Sequence, residues 1–369
     1  MFKAQIKKRC LFVYIIFGIC DIIVFGGDFM DYNSVLENAR KNIGKYCKAC
    51  PVCNGIACGN KIPGPGAKGV GDTAIRNYNK WQEIRVNMDV LCENKEVDTR
   101  VKLFGKEFKY PFFAGPVGAV NLHYGEAYND VTYNEVLVKA CMENGIAAFT
   151  GDGVNHDVMK GACEAIKKTN GIGVPTVKPW NIETIKEKFE LVKECGAFAC
   201  AMDVDAAGLP FLKNQTPPAG SKSVEDLREI VDAIDVPFIV KGVMTVKAAL
   251  KAKEAGAAAI VVSNHGGRVL DGCPATAEVL KEIADAVSDS MTILVDSGIR
   301  NGTDIFKALA MGAHGVLICR PFVTALYGGG EEGVKIYIEK LASELKDTMA
   351  MCGVHSIDEI SIENIRLPR

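Results

Sequence analysis

Ile260-Val261-Val262-Ser263-Asn264-His265-Gly266-Gly267-Arg268-Val269-Leu270-Asp271-Gly272 is the stretch on which the reading of this chain turns. β-Branched residues favour an extended, buried strand, and this run stops at Ser263. At its tip stand a histidine, two glycines and an arginine. Glycines let another backbone or a flat molecule approach closely. The order therefore puts a base and a cation at the mouth of a buried strand. A lone histidine is more often structural than catalytic. Here His265 and Arg268 share a strand end, and the same architecture recurs along the chain.

Short apolar strand candidates fall at 111–118, 147–152, 173–178, 198–205, 238–243, 259–265, 292–298 and 315–321. Between them lie segments of helical periodicity, such as Val246–Ala255 and Thr303–Met311. Eight strands alternating with helices predict an α/β chain with parallel strands closed into a (β/α)₈ TIM barrel. An open doubly wound sheet is the alternative, but eight units filling about 240 residues match barrel length. Ionisable residues gather at the C-terminal strand ends: Asp152, Lys178, Asp203, Asp205, Lys241, His265, Asp296 and Arg320. In a barrel those ends share the face that carries the active site.

The 369 residues are 48% hydrophobic and 24% charged, enough for one large core. A net charge of −2 without a sustained basic block argues against nucleic acid as a partner. The chain has 14 cysteines; Cys141, Cys195, Cys200 and Cys319 fall within strand or helix patterns and read as buried thiols of a reducing compartment. Residues 1–29 combine Lys3, Lys7, Lys8 and Arg9 with an apolar stretch over 10–27, the pattern of a signal peptide or membrane anchor. Asp21 interrupts it, and translation from Met30 would give a cytoplasmic protein, the placement we expect. The expected organisation is an apolar extension (1–29), a Cys-rich segment (30–66) and a barrel (67–369).

Asp296-Ser297-Gly298-Ile299-Arg300-Asn301-Gly302-Thr303-Asp304 follows the seventh strand, and Cys319-Arg320-Pro321 the eighth. Free backbone N–H groups, a helix start and two arginines suit a phosphate, which barrels commonly hold at these loops. Turn glycines with solvated arginines are the bland alternative. Lys241 ends the fifth strand, aimed at an anionic ring or substrate. Ala114-Gly115-Pro116-Val117-Gly118 leaves room for a flat ring against the first strand. Phosphate, flat ring, cation, base and arginine together describe a flavin mononucleotide (FMN) site.

The segment from Phe238 to Ile360 resembles the FMN-dependent α-hydroxy-acid oxidases and dehydrogenases, which include glycolate oxidase, lactate oxidase and flavocytochrome b2. The resemblance rests on Val240-Lys241-Gly242-Val243, Ser263 to Arg268, Leu270-Asp271-Gly272, Pro274-Ala275-Thr276, Asp296 to Arg300, Gly302-Thr303-Asp304 and Arg320-Pro321. It is looser from Pro111 to Asp205. It implies oxidation of a 2-hydroxy acid to the 2-oxo acid, with electrons passing to flavin N5. His265 would be the base, Asp205 its orienting carboxylate and Arg268 the holder of the substrate carboxylate. Lys241 would face the flavin. Asp296, Gly298, Arg300 and Arg320 would hold ribityl and phosphate. Ala114, Pro116, Val117 and Ser263 would complete the cofactor site. A homo-oligomer, tetrameric by family analogy, is implied too.

The departures concern the substrate half. The third strand reads Val174-Pro175-Thr176-Val177-Lys178-Pro179-Trp180, without the family's Gln-x-Tyr. Asp203 adds a second carboxylate, and 206–223 holds no clear match to the second substrate arginine. In place of the N-terminal tyrosine stands Tyr46-Cys47-Lys48-Ala49-Cys50-Pro51-Val52-Cys53-Asn54-Gly55-Ile56-Ala57-Cys58. The spacing of Cys47, Cys50, Cys53 and Cys58 is reminiscent of cluster-binding ferredoxin loops. A zinc knuckle, a redox disulfide and a loop without ligand are the other readings. Pro63-Gly64-Pro65-Gly66 follows as a separator. Two functions of other kinds stand beside the oxidase: an FMN barrel enzyme resembling flavin-type isopentenyl diphosphate isomerase, and a flavin redox protein without 2-hydroxy acid turnover.

Overall fold

The structure, a computed structural model, describes residues 30–368 except 210, 211, 213, 214 and 217. The expectations for residues 1–29 lie outside the described residues. Eight strands form the central sheet: β1 (Phe112–Ala114), β2 (Phe149–Thr150), β3 (Val174–Val177), β4 (Cys200–Asp203), β5 (Phe238–Val243), β6 (Ala259–Val262), β7 (Thr292–Val295) and β8 (Gly315–Ile318). They pair in parallel in the order β1-β8-β7-β6-β5-β4-β3-β2, and a parallel bridge between Ala114 and Ala148 joins the two ends. That closure is the (β/α)₈ barrel, with every described strand residue buried except Gly242 and Thr292. Strands covered on both faces read as continuous apolar runs, which is why β6 carries no polar residue.

The strands are shorter than their sequence runs. The run at 259–265 leaves the sheet after Val262, because Ser263 and Asn264 lead into a 3₁₀ turn at His265–Gly267. Likewise β4 ends at Asp203, so Asp205 sits not at the strand end but in the following 3₁₀ turn, Val204–Gly208. The helices expected at Val246–Ala255 and Thr303–Met311 appear as Val246–Glu254 and Gly302–Ala310. Asn301 caps the latter, its side chain accepting from Asp304 N.

Two helices precede the barrel: α1 (Tyr32–Asn42) and α2 (Asp72–Glu83). Asp271 accepts hydrogen bonds from Val70 N, Gly71 N and Thr73 N at 2.8–3.3 Å, placing an anion at the N-terminus of α2. Asn77 of α2 and Asn264 exchange side-chain hydrogen bonds of 2.8 and 2.9 Å, both residues buried. The second helix is thus clamped to the loop that carries His265.

Helix α1 packs along the C-terminal helix Arg320–Met351, where Val35 O lies 2.0 Å from where a Cβ on Gly328 would sit. Gly328→Ala should force the two helices apart and destabilise the fold by about 1–3 kcal/mol, the usual scale of overpacking, read as a lowered urea midpoint.

Candidate active site

The C-terminal ends of the strands open on a cavity of about 670 Å³, lined by Lys241, His265, Arg268, Asp296, Gly298, Arg300 and Arg320 among others. Its size suits a cofactor and a small substrate. Pro116 and Val117 also line it. Ala114 and Ser263 do not: Ala114 donates its N–H to Ala147 O within the barrel wall, and Ser263 Oγ accepts from His265 N at 3.1 Å.

His265 has φ +57°, a left-handed conformation that side chains other than glycine avoid. Such strain persists where the surroundings over-determine it. Here His265 Nδ1 meets Asp205 Oδ1 at 3.0 Å, and the loop behind is tied by Asn264. Asp205 approaches because residue 242 is glycine. At φ +109°, next to a register shift in β5, a Cβ on Gly242 would lie 2.6 Å from the Asp205 Cβ. Asp205 Oδ2 has no hydrogen-bond partner among the described residues.

Lys241 is fully enclosed, with Asp203 at 3.2 Å and Asp296 at 3.7 Å. Burial works against its charge, but Asp203, Asp205 and Asp296 outweigh burial and hold the ammonium charged. Asp203 also accepts from Lys178 Nζ at 2.6 Å. Its burial opposes ionisation, yet Lys178 and Lys241 keep its carboxyl well below the usual range. The extra carboxylate noticed in the sequence therefore stands between two lysines. Asp152 is likewise committed: it accepts from Lys188 Nζ at 2.7 Å, Trp180 Nε1 at 2.8 Å and Lys178 N at 3.0 Å.

The arginines are anchored by the segment before the barrel. Arg268 Nη1 donates to Gly64 O and Gly66 O at 2.7 and 2.8 Å. Arg320 donates to Gly266 O at 3.1 Å and Pro65 O at 3.4 Å. Arg300 Nε donates to Cys53 O at 2.6 Å. Gly64, Pro65 and Gly66 are buried and Pro65 lines the cavity, so this stretch contributes to the site rather than merely separating it from the Cys-rich segment.

His123 was not visible as a site residue. It follows the β1 loop, lines the cavity and is 5% exposed. Its Nδ1 accepts from Gly64 N at 2.8 Å, which leaves the ring proton on Nε2, 3.3 Å from Arg268 Nη2. Two donors thus face each other, an arrangement that an anionic oxygen completes.

A buried, charge-paired lysine, a carboxylate-backed histidine and three arginines thus share one barrel rim, the set of groups expected of a flavin oxidoreductase. The family described as FMN-dependent dehydrogenase matches residues 65–216 and 211–367, and the chain belongs to it. A peroxisomal (S)-2-hydroxyacid oxidase of Arabidopsis thaliana is 48% identical over 331 residues, covering 80% of this chain and 88% of that protein. A 4-hydroxymandelate oxidase of Amycolatopsis orientalis is 31% identical over 341 residues, covering 82% of this chain and 92% of that protein. Among solved structures, a mandelate oxidase superposes with a TM-score of 0.75 at 25% identity, covering 92% of this chain and 99% of its own. A flavocytochrome b2 gives 0.72 at 26% identity, covering 82% and 80%. These matches do not favour the isomerase alternative. Nor do they support a cytoplasmic address, since relatives carry peroxisomal names. Among the described residues no helix is long and apolar enough to cross a membrane.

Burial, with Arg268 alongside, pushes His123 down to about 4 from its ordinary 6.5. Between these values the unfolded chain binds a proton that the folded chain refuses. Stability is therefore complete above about pH 6.5 and falls as pH drops towards 4, by roughly 2 kcal/mol at about pH 5. His123→Gln should abolish that share of the pH dependence. Equal urea-midpoint losses on acidification in both proteins would refute it.

Proposed function

We propose that this chain oxidises a small 2-hydroxy acid to the 2-oxo acid with FMN as the group that first receives the electrons. The observation that carries the reading is the His265–Asp205 pair, 3.0 Å apart at a cavity edge that Arg268 and Lys241 also line or face. When bound, FMN supplies an acceptor for two electrons at its N5. His265, with Nδ1 turned to Asp205, offers Nε2 to take the substrate hydroxyl proton, and Asp205 stabilises the imidazolium that results. Arg268, its Nη1 held by Gly64 O and Gly66 O, presents Nη2 to the substrate carboxylate beside His123. Lys241, held charged by Asp203 and Asp296, would face the flavin and supply a fixed positive charge there. Arg300, Arg320, Asp296 and Gly298 would hold phosphate and ribityl, and Pro116 and Val117, which line the same cavity, would complete the cofactor site.

The residues present fit such a group. The cavity has the volume, and Gly298 at φ +96° brings the phosphate loop against α2, where a Cβ would lie 2.2 Å from Asn77 O. The altered substrate half, where His123 and Lys178 line the cavity and the third strand lacks the family's Gln-x-Tyr, sets which acid is taken. A homo-oligomer, tetrameric by family likeness, belongs to the same reading. We also propose that Cys47, Cys50, Cys53 and Cys58 hold a metal centre, an iron–sulfur cluster or zinc, because all four line one small cavity.

Anaerobic mixing with a panel of 2-hydroxy acids tests the main reading, since bound flavin should bleach with at least one of them. His265→Ala should keep FMN and slow that bleaching by ~10²-fold or more, the scale of removing a positioned base. Arg268→Lys should chiefly raise the substrate concentration needed, because Lys lacks the planar fork. Arg300→Glu should yield colourless protein. Wild-type bleaching rates in both the His265 and Arg268 variants would sink the assignment.

A further inference from the structure

A 2-hydroxy acid offers three groups to a site: a carboxylate, a hydroxyl-bearing carbon and a side chain. Arg268 with His123, and His265 with Asp205, answer the first two. The side chain has to lie in the rest of the cavity, which the loops after β1, β2 and β4 enclose.

Those loops bring Leu122, Val154, Leu209 and Leu212 to the cavity. Leu122 immediately precedes His123, whose Nε2 lies 3.3 Å from Arg268 Nη2, so an apolar residue adjoins the carboxylate anchor. The β4 loop is held against the residue that follows Arg268. Lys68 Nζ donates to Gly208 O at 3.3 Å and to Val269 O at 3.0 Å. Leu209 comes next, and Leu212 N donates to Leu209 O at 3.2 Å, which folds the two buried leucines into one turn. The β2 loop is pressed on the β1 loop, since a Cβ on Gly151 would lie 2.4 Å from Val117 O. Val154 and Leu122, on these adjoining loops, are each 52% exposed. A single half-exposed aliphatic residue is ordinary, but two beside a cavity that two buried leucines also line make an apolar surface for a ligand to cover.

The charges sort the opposite way. The lysines of the lining, Lys178 and Lys241, are both committed to Asp203. Among the described residues the three loops give the cavity no lysine or arginine, but they do give it two carboxylates, Asp130 and Asp157. A second carboxylate on the substrate would enter this part without a counter-charge, and burying an unpaired charge is costly.

We infer that the substrate is a 2-hydroxy acid with an uncharged, apolar side chain of several carbons. Leu122, Val154, Leu209 and Leu212 select it over the shortest acids and over acids with a second carboxylate. The inference rests on the 2-hydroxy acid reading of the barrel and names the substrate class of that site. The oxidation balances as for any such acid: two electrons pass to FMN, two protons are released, and the side chain keeps all its bonds.

The test uses FMN-loaded protein and two independent measurements. In the first, anaerobic bleaching is compared across lactate, 2-hydroxybutyrate, 2-hydroxyhexanoate and malate. The half-saturating concentration should fall about fourfold per added methylene from lactate to 2-hydroxyhexanoate, the value of burying one CH₂, and malate should be the poorest. In the second, propionate, hexanoate and succinate, which offer no hydroxyl to oxidise, are titrated against the flavin absorbance. Hexanoate should bind most tightly and succinate least. The double variant Leu122→Ser, Val154→Ser changes two half-exposed positions where water can solvate the new hydroxyls, so FMN should be retained. It should cut the ratio of hexanoate to propionate affinity by about tenfold. Bleaching that ignores chain length, or favours malate, overturns the inference and leaves the 2-hydroxy acid reading standing. A ranking of the three carboxylates that is flat, or that the double variant does not move, overturns it whatever the bleaching shows. No bleaching by any acid, with the carboxylate ranking as expected, retires the oxidation reading and keeps the apolar pocket.

Discussion

A buried ammonium sets the terms of this barrel. Lys241 sits within β5, two residues before its end, with almost no solvent, where an unpaired charge would cost several kcal/mol. Asp203 is its direct neighbour because residues 203 and 241 are register partners in the parallel β4–β5 pair. Asp296, just after β7, and, through Asp203, Lys178, just after β3, complete the set. Four strands are thereby bound to one charge arrangement at one rim. A slip of either strand by one residue would turn a charged side chain to the wrong face and leave its partner buried alone. The same arrangement that satisfies the fold keeps a permanent cation at the floor of the cavity.

The remaining cations are positioned from outside the barrel. Arg268, Arg320 and Arg300 each donate to a carbonyl of the preceding segment, at Gly64 and Gly66, at Pro65, and at Cys53. The barrel supplies the side chains and the N-terminal segment aims them. Because carbonyl oxygens have spare lone pairs and need no counter-charge, they fix the guanidinium planes without neutralising them. Asp31 to Arg369 accordingly forms one compact unit. The cysteine loop is tied to the cavity rim through Arg300, whose Nε donates to Cys53 O.

The barrel was legible because its signals are local. Apolar runs alternating with amphipathic segments predict parallel strands, and all eight runs became strands. The motif at Ser263–Arg268 and the arginines after β7 and β8 were equally legible, since strand order alone sends their residues to one rim. Strand ends were less so, as at Asp205, where the 3₁₀ turn after β4 depends on the gap that Gly242 leaves.

The sequence by itself determined which residues stand at the barrel mouth, because a closed parallel sheet places every strand end on the same face. It also determined that four cysteines fall close together in the chain. Only the tertiary structure decided what those groups do. Asp152 is consumed by Lys188 and Trp180, Asp203 is shared by two lysines, and His123 is brought from the β1 loop to Arg268 by a hydrogen bond from Gly64. Ala114 and Ser263 are turned into the wall. The cysteine loop is laid against the flavin cavity across Pro65, Tyr124 and Arg320. These are contacts between residues far apart in the chain, and spacing along a sequence carries no information about them until the closed barrel brings their segments together.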